Sequence, residues 1–414
     1  MQYEITEFHT GLPVILSPNP ETPRMALAVA MNGGVRREKI PGTAKMAERL
    51  LSKGTETRSA EELANELDAR AIDLREITLS DSSILLAIFL NRELPAVLDI
   101  LEDVVFHSTF ADYEKETVKL AGEIQASLDL PAEIAQDLLI RTLFAGFPYG
   151  NTGTRMLETL PDLNVDIVRD WYQGGLNPRF MNVTLVGDFK EEDVLPRLDD
   201  AFADLNEQLP APFTSTFTPP ISEDRVVTKA RPEAQQAQIY QGWYAPPLGA
   251  QEQAAMTVMN TILGAAGLSS RLFTELRDKQ GLAYSVRSSY APMRQTGQFV
   301  VSIGTSPENI AQARRGFAEQ IARMQNEPIS LDELQNAKGR LRGTFVLAHE
   351  TNSQQCIDMT ISQINGFGPD FSMQMLQRIE GVTVADVQAA AQRIISPSVT
   401  AIVAREDALP KEEK

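Results

Sequence analysis

Ile84-Leu85-Leu86-Ala87-Ile88-Phe89-Leu90 is a continuous apolar run, followed by Asn91 and a helix-like stretch from Glu93 to Phe106. A short apolar run of this kind beside a helical pattern reads as a strand. About 215 residues further on, Phe299-Val300-Val301-Ser302-Ile303-Gly304 precedes Ser306 and a helix-like Glu308 to Met324. A second match lies near the ends of the two stretches. Val165-Asp166-Ile167-Val168, Asn177-Pro178 and Val183-Thr184-Leu185-Val186 parallel Val384-Ala385-Asp386-Val387, Ser396-Pro397 and Val399-Thr400-Ala401-Ile402-Val403, at an offset of about 216–219. Two matches at nearly one offset predict an internal duplication.

The 414 residues allow roughly two to four domains. Hydrophobic residues make up 43% and charged residues 23%, the balance of an ordinary globular protein. Leu209 to Glu223 contains four prolines and reads as an extended linker. It divides the chain into an N-terminal domain, 1–208, and a C-terminal domain, 224–414. Tyr3–Phe8 and Pro13–Ser17 flank Thr10-Gly11 and read as a hairpin. Thr43 is placed to cap a helix that ends at Gly54, and Ser59-Ala60-Glu61-Glu62 is a capping-box pattern. Hairpin-type and single strands alternate with long helices. The fold class is therefore α+β: two homologous sandwich-like halves, each a largely antiparallel sheet packed with helices.

The formal charge is −18, from 38 Lys and Arg against 56 Asp and Glu. That excludes a nucleic-acid backbone as the main partner, which needs clustered cations. Acidic walls would favour basic peptides. Cys356 is the only cysteine, so internal disulfides and cysteine-rich metal knuckles are excluded. The first residues, Met1-Gln2-Tyr3-Glu4-Ile5-Thr6, lack the basic and apolar regions of a signal peptide. No stretch is long and apolar enough to predict a membrane span. As given the chain reads as cytoplasmic, and as periplasmic if a leader has been removed.

Lys45, Glu48 and Arg49 sit at i, i+3 and i+4 of the helix that starts near Thr43 and share one face. By themselves they read as a solvated charged face. Their context, Gly42-Thr43-Ala44-Lys45-Met46-Ala47-Glu48-Arg49-Leu50-Leu51-Ser52-Lys53-Gly54-Thr55, resembles the inverted zinc motif of the pitrilysin and mitochondrial-processing-peptidase family. That motif, H-x-x-E-H, supplies two His ligands and a Glu general base. Here Lys45 and Arg49 stand in the two histidine positions and only Glu48 is kept. The resemblance places the third ligand at Glu123 and a supporting carboxylate at Glu116. Lysine at neutral pH and arginine have no lone pair to offer a metal. The expectation is that this chain holds no catalytic zinc and that Lys45 and Arg49 pair with Glu123. His9, His107 and His349 have no spacing that rebuilds a site and read as ordinary core or surface residues.

Residues 264–285, Gly-Ala-Ala-Gly-Leu-Ser-Ser-Arg-Leu-Phe-Thr-Glu-Leu-Arg-Asp-Lys-Gln-Gly-Leu-Ala-Tyr-Ser, resemble the second signature of the same family. The resemblance implies that Arg277 and Tyr284 bind a substrate carbonyl near the scissile bond. A guanidinium and a phenol are suitable donors for a carbonyl and its developing oxyanion. Read without the resemblance, Arg277 is a helix-surface cation and Tyr284 a strand aromatic. Phe147-Pro148-Tyr149-Gly150 is a further, weaker likeness.

Some bacterial members of the family work as heterodimers, in which one chain carries the zinc and the other the Arg/Tyr pair. The resemblance therefore implies a non-catalytic subunit, inactive alone, that works with a zinc-bearing homologue on short or unfolded peptides. A homodimeric peptide-binding or structural pseudoenzyme is the alternative. An autonomous metallopeptidase is disfavoured by Lys45 and Arg49.

Overall fold

A computed structural model of the protein describes residues 2–203, 205 and 216–410. Residues 209–215 of the proline-rich linker lie outside the described residues, and 216–223 form neither helix nor strand. The chain forms two compact units. One comprises the described residues of Met1–Gly122, Met156–Ser215 and Val346–Met373, and the other those of Glu123–Arg155, Thr216–Phe345 and Gln374–Lys414. Each half of the sequence thus lends the other unit a helical segment.

In the first unit, the strands are β1 (Glu4–Glu7), β2 (Pro13–Pro18), β3 (Arg24–Asn32), β4 (Asp73–Thr78), β5 (Ser82–Leu90) and β6 (Met181–Gly187). They form one sheet in the order β1-β2-β6-β3-β5-β4. Only the β2/β6 pairing is parallel. The hairpin is present, with Glu4 opposite Leu16 and Gly11 turning at φ +77. In the second unit, β7 (Arg225–Ala230), β8 (Ala237–Ala245), β9 (Ala283–Pro292), β10 (Gly297–Thr305) and β11 (Ser398–Ala404) follow the order β7-β11-β8-β10-β9. Its one parallel pair is β7/β11. Counting from β2, the two orders are the same, and the run at 84–90 corresponds to β10 as the repeat predicted.

The apolar runs are continuous because these strands are covered on both faces. Every residue of β6 and of β11 is buried. In the first unit, Ile84 and Leu86 of β5 pack with Ala28 of β3 against Cys356 and Met359 of the helix Asn352–Ile364. In the second, Leu139 and Leu143 of the helix Pro131–Leu143 pack on Tyr240, Val399 and Ala401. Truncating a fully buried Leu139 to Ala in such a cluster costs roughly 2–5 kcal/mol.

Capping decides where the first-unit helices begin. The box at Ser59 is formed, with Glu62 N donating to Ser59 Oγ at 3.2 Å and Ser59 N donating to Glu62 at 2.9 Å. Thr43, in contrast, is not a cap. The helix Thr43–Leu50 starts after Gly42, whose φ of +94 suits glycine. The buried Glu38 carboxylate accepts from Ala44 N at 2.8 Å and Gly42 N at 3.3 Å, so an acid five residues upstream does the work assigned to Thr43.

Candidate functional site

The first cluster lies on the helix Thr43–Leu50. Met46, Ala47 and Leu50 are buried, which turns Lys45, Glu48 and Arg49 away from the core. Arg49 donates to Glu116 Oε2 through Nη2 at 2.9 Å and Nε at 3.2 Å. Glu116 is on the helix Tyr113–Ser127, and its side chain is only 3% exposed. Its other oxygen accepts from Lys119 Nζ at 2.8 Å, with Lys53 Nζ at 3.7 Å. Burial alone would raise its pKa, but Lys119, Lys53 and Arg49 outweigh burial and hold it below the ordinary carboxylate value. Glu116 is therefore an anion enclosed by three cations.

Lys45 pairs with Glu48 on its own helix, where the i, i+3 spacing brings the two together. The expected partner of Lys45 is Glu123; the ion pair it makes is with Glu48. Glu48 also accepts from Thr78 N at 2.9 Å, which ties the helix to β4. Glu123 is two turns beyond Glu116 on the same helix and falls in the second unit. The roles of Lys53 and Lys119 were missed, although both show the helical spacing that signals them, four residues after Arg49 and three after Glu116. Beside Glu48 is a cavity of about 30 Å³, also lined by Glu76, Thr78 and Trp171, with room only for water. Burial raises the pKa of Glu76, with a Ser52 hydrogen bond pulling it back.

A catalytic zinc does not fit these donors. The two seats that need neutral nitrogen carry cations, and Glu116 is already committed to three of them. Among the described residues, no group of three or more His, Cys, Asp and Glu side chains is arranged to hold a metal ion.

The second cluster is built where a helix meets an edge strand. Residues Phe273–Lys279 form a π-helical segment, and Gly281, at φ +63, turns the chain into β9. Gly281 N donates to Arg277 O and Leu282 N to Leu276 O, both at 2.9 Å. The guanidinium of Arg277 lies between two rings, 4.5 Å from the centre of Phe273 and 4.9 Å from that of Tyr284. Its Nη1 donates to the Tyr284 carbonyl at 2.8 Å. β9 pairs with β10 residue for residue until Ser285 and Gly304, after which Ala283 faces Thr305. Tyr284 is thus the extra residue of a β-bulge, a device that re-aims a side chain. It is 81% exposed. Among the described residues, its hydroxyl has no hydrogen-bond partner.

The loop before the helix is held from below. Arg271 grips Glu333 with Nε to Oε1 at 2.7 Å and Nη2 to Oε2 at 3.0 Å. Ser288 donates to Asn260 Oδ1 at 2.7 Å, and Gly264 lies so close to Ser288 that a Cβ would come within 2.3 Å of its nitrogen. That contact requires glycine at 264, while Gly267 takes a φ of +66. Phe147-Pro148-Tyr149-Gly150 adds core only: Phe147 and Tyr149 join Phe144 and Phe217 in edge-on ring contacts. Arg277 and Tyr284 border a groove of about 770 Å³ in the second unit, floored by β9 and β10 and flanked by the helix Pro131–Leu143.

A duplicated α+β chain with a degenerate inverted metal motif and an ordered Arg/Tyr pair has the build of a peptidase family. Two family models bear this out: Insulinase (Peptidase family M16) matches residues 13–155, and Peptidase M16 inactive domain matches residues 162–341. The chain belongs to the M16, or pitrilysin, family of peptidases. It is 28% identical over 349 residues to the "Uncharacterized zinc protease YmxG" of Bacillus subtilis, covering 83% of this chain and 84% of that one. A protein of Mycobacterium tuberculosis, also named an uncharacterized zinc protease, is 29% identical over 394 residues, covering 93% and 89%. Among solved structures, a peptidase M16 inactive domain from Pseudomonas fluorescens superposes with a TM-score of 0.87 at 18% identity, covering 98% of both chains. A protease from Helicobacter pylori gives 0.87 at 19% identity, covering 97% and 99%. At those identities the structures speak for the fold. No helix among the described residues is long and apolar enough to cross a membrane.

Proposed function

We propose that this M16 chain is the zinc-lacking subunit of a heterodimeric peptidase. It supplies Arg277 and Tyr284 to hold the carbonyl of a short or unfolded peptide, while a homologous partner supplies the zinc. The observation that carries this reading is the Arg277/Tyr284 pair itself. The guanidinium is fixed by two rings and a carbonyl, and the phenol is turned outward by a bulge at the mouth of a groove. A structural residue has no need of that arrangement. The cations at positions 45 and 49 support the other half of the reading, in which bond cleavage takes its metal from another chain. Edge strands offer extended peptides unpaired backbone groups. A homodimeric pseudoenzyme accounts for Lys45 and Arg49 equally well but leaves the outward Tyr284 without a purpose.

The test is reconstitution. Alone, the chain should not cleave an unstructured peptide. Mixed with a zinc-bearing homologue encoded in the same genome, it should raise cleavage strongly. Arg277→Ala or Tyr284→Phe should then remove most of the gain, about 10²–10³ in kcat, as for loss of one oxyanion donor. Full activity of the homologue alone would contradict the proposal.

A further inference from the structure

The groove beside Arg277 and Tyr284 differs in charge from the chain as a whole. The protein carries 56 acids against 38 bases, and its net charge predicted acidic walls and basic substrates. Yet among the described residues that line the groove there is no carboxylate, and the two charged groups are Arg277 and Arg287. Net charge is an average over the surface, whereas recognition depends on the local field in a cleft.

Arg287 stands on β9 opposite Ser302 of β10, on the sheet face that carries Ser285, Ser289 and Val300. The helix Pro131–Leu143 covers β8 and β11 and leaves this stretch of the sheet open as the groove floor. Arg287 is exposed, and among the described residues it makes no ion pair. On the same face of β10, the Gln298 Oε1, itself shut off from solvent, has no hydrogen-bond partner among the described residues. An exposed guanidinium without an ion-pair partner is complementary to an acidic side chain.

We infer that the groove of the second unit selects acidic peptides, with Arg287 seating an Asp or Glu side chain of an extended ligand whose carbonyl is held by Arg277 and Tyr284. Arg287 follows Ser285, the last regularly paired residue before the bulge, by two residues, about 7 Å along a strand at roughly 3.3 Å per residue, and the bulged Tyr284 lies just beyond. An extended peptide advances by nearly the same amount per residue. The acidic side chain therefore lies about two to three residues from the held carbonyl. This deepens the function proposed above and rests on it for the position of the carbonyl.

The test uses the full chain and fluorescein-labelled decapeptides of Ala, Ser and Val that carry a single Glu, stepped through the sequence, with Gln peptides as controls. Binding is read by fluorescence anisotropy at low salt. The expected result is a preference for Glu over Gln of about threefold to fivefold at one region of the peptide, the range of a solvent-accessible ion pair. The preference should vanish in Arg287→Gln, persist in Arg287→Lys and shrink in high salt. Equal binding of Glu and Gln peptides, a preference unchanged in Arg287→Gln, or no binding of any peptide would overturn the inference. The Arg277→Ala variant separates the two claims. If it binds as wild type while the Arg287-dependent preference remains, the carbonyl clamp fails and the acidic subsite stands.

Discussion

Arg49 holds Glu116 through two nitrogens, at 2.9 and 3.2 Å, with the acid almost wholly buried. Breaking one side of a buried pair leaves a charge without compensation, at a cost of about 3–5 kcal/mol. Lys53 and Lys119 remain near Glu116, so Arg49→Ala should fall below that range, at roughly 2 kcal/mol in urea denaturation. Glu116→Gln combined with Arg49→Ala should cost less than the sum of the two single changes. Additive effects would show that the pair is not coupled.

Arg271 and Glu333 predict a pH dependence. The Arg271 guanidinium, with Ser330 assisting against burial, lowers the Glu333 pKa to about 2. A carboxyl lowered on folding stabilises fully above its ordinary range and loses that contribution as pH falls from about 4.5 towards 2. The side chain is about one-third exposed, so screening reduces the contribution to roughly 1–2 kcal/mol. The stability difference between wild type and Glu333→Gln should therefore be present at pH 7 and should narrow between pH 4 and 3. A constant difference would exclude the ionic contribution.

Cys356 is fully buried on the helix Asn352–Ile364, and burial pushes its thiol up to about 12. The reactive species is the thiolate. The native protein should resist an aromatic disulfide reagent at pH 8 and react with one equivalent in denaturant, since the sequence has a single Cys. Rapid labelling of the native state would show that this helix is not packed on the first sheet as described.

Gly264 tests the floor of the second cluster. An added methyl meets Ser288 N at 2.3 Å and Ser288 Oγ at 2.6 Å, and the backbone cannot yield cheaply. Gly264→Ala should destabilise by about 1–3 kcal/mol, as overpacking does. It should also weaken peptide binding, because β9 carries Tyr284 and Arg287. Wild-type stability and binding would show that the close approach is not needed.

The duplication and the sheet class were legible because strands buried on both faces leave apolar runs that repeat in order. The run at 84–90 and its counterpart at 299–304 fall on β5 and β10. The destination of the helix Pro131–Leu143 was not legible. Leu139 and Leu143 state only that one face is apolar, and which sheet receives it is a long-range choice. The cap by Glu38 was hidden for a similar reason: an acid several residues upstream has no fixed spacing signature. Arg277 and Tyr284 stood out through their resemblance to a motif, whereas Arg287 did not. It is an ordinary strand cation until the sheet shows which neighbours it lacks.

The decisive measurement is made on the purified chain alone: bound zinc by mass spectrometry, beside cleavage of an unstructured fluorogenic peptide with and without chelator. With lysine and arginine in the two imidazole seats, the expected result is zinc far below one per chain and no chelator-sensitive cleavage. One zinc per chain, lost on Glu123→Ala together with the cleavage, would contradict it.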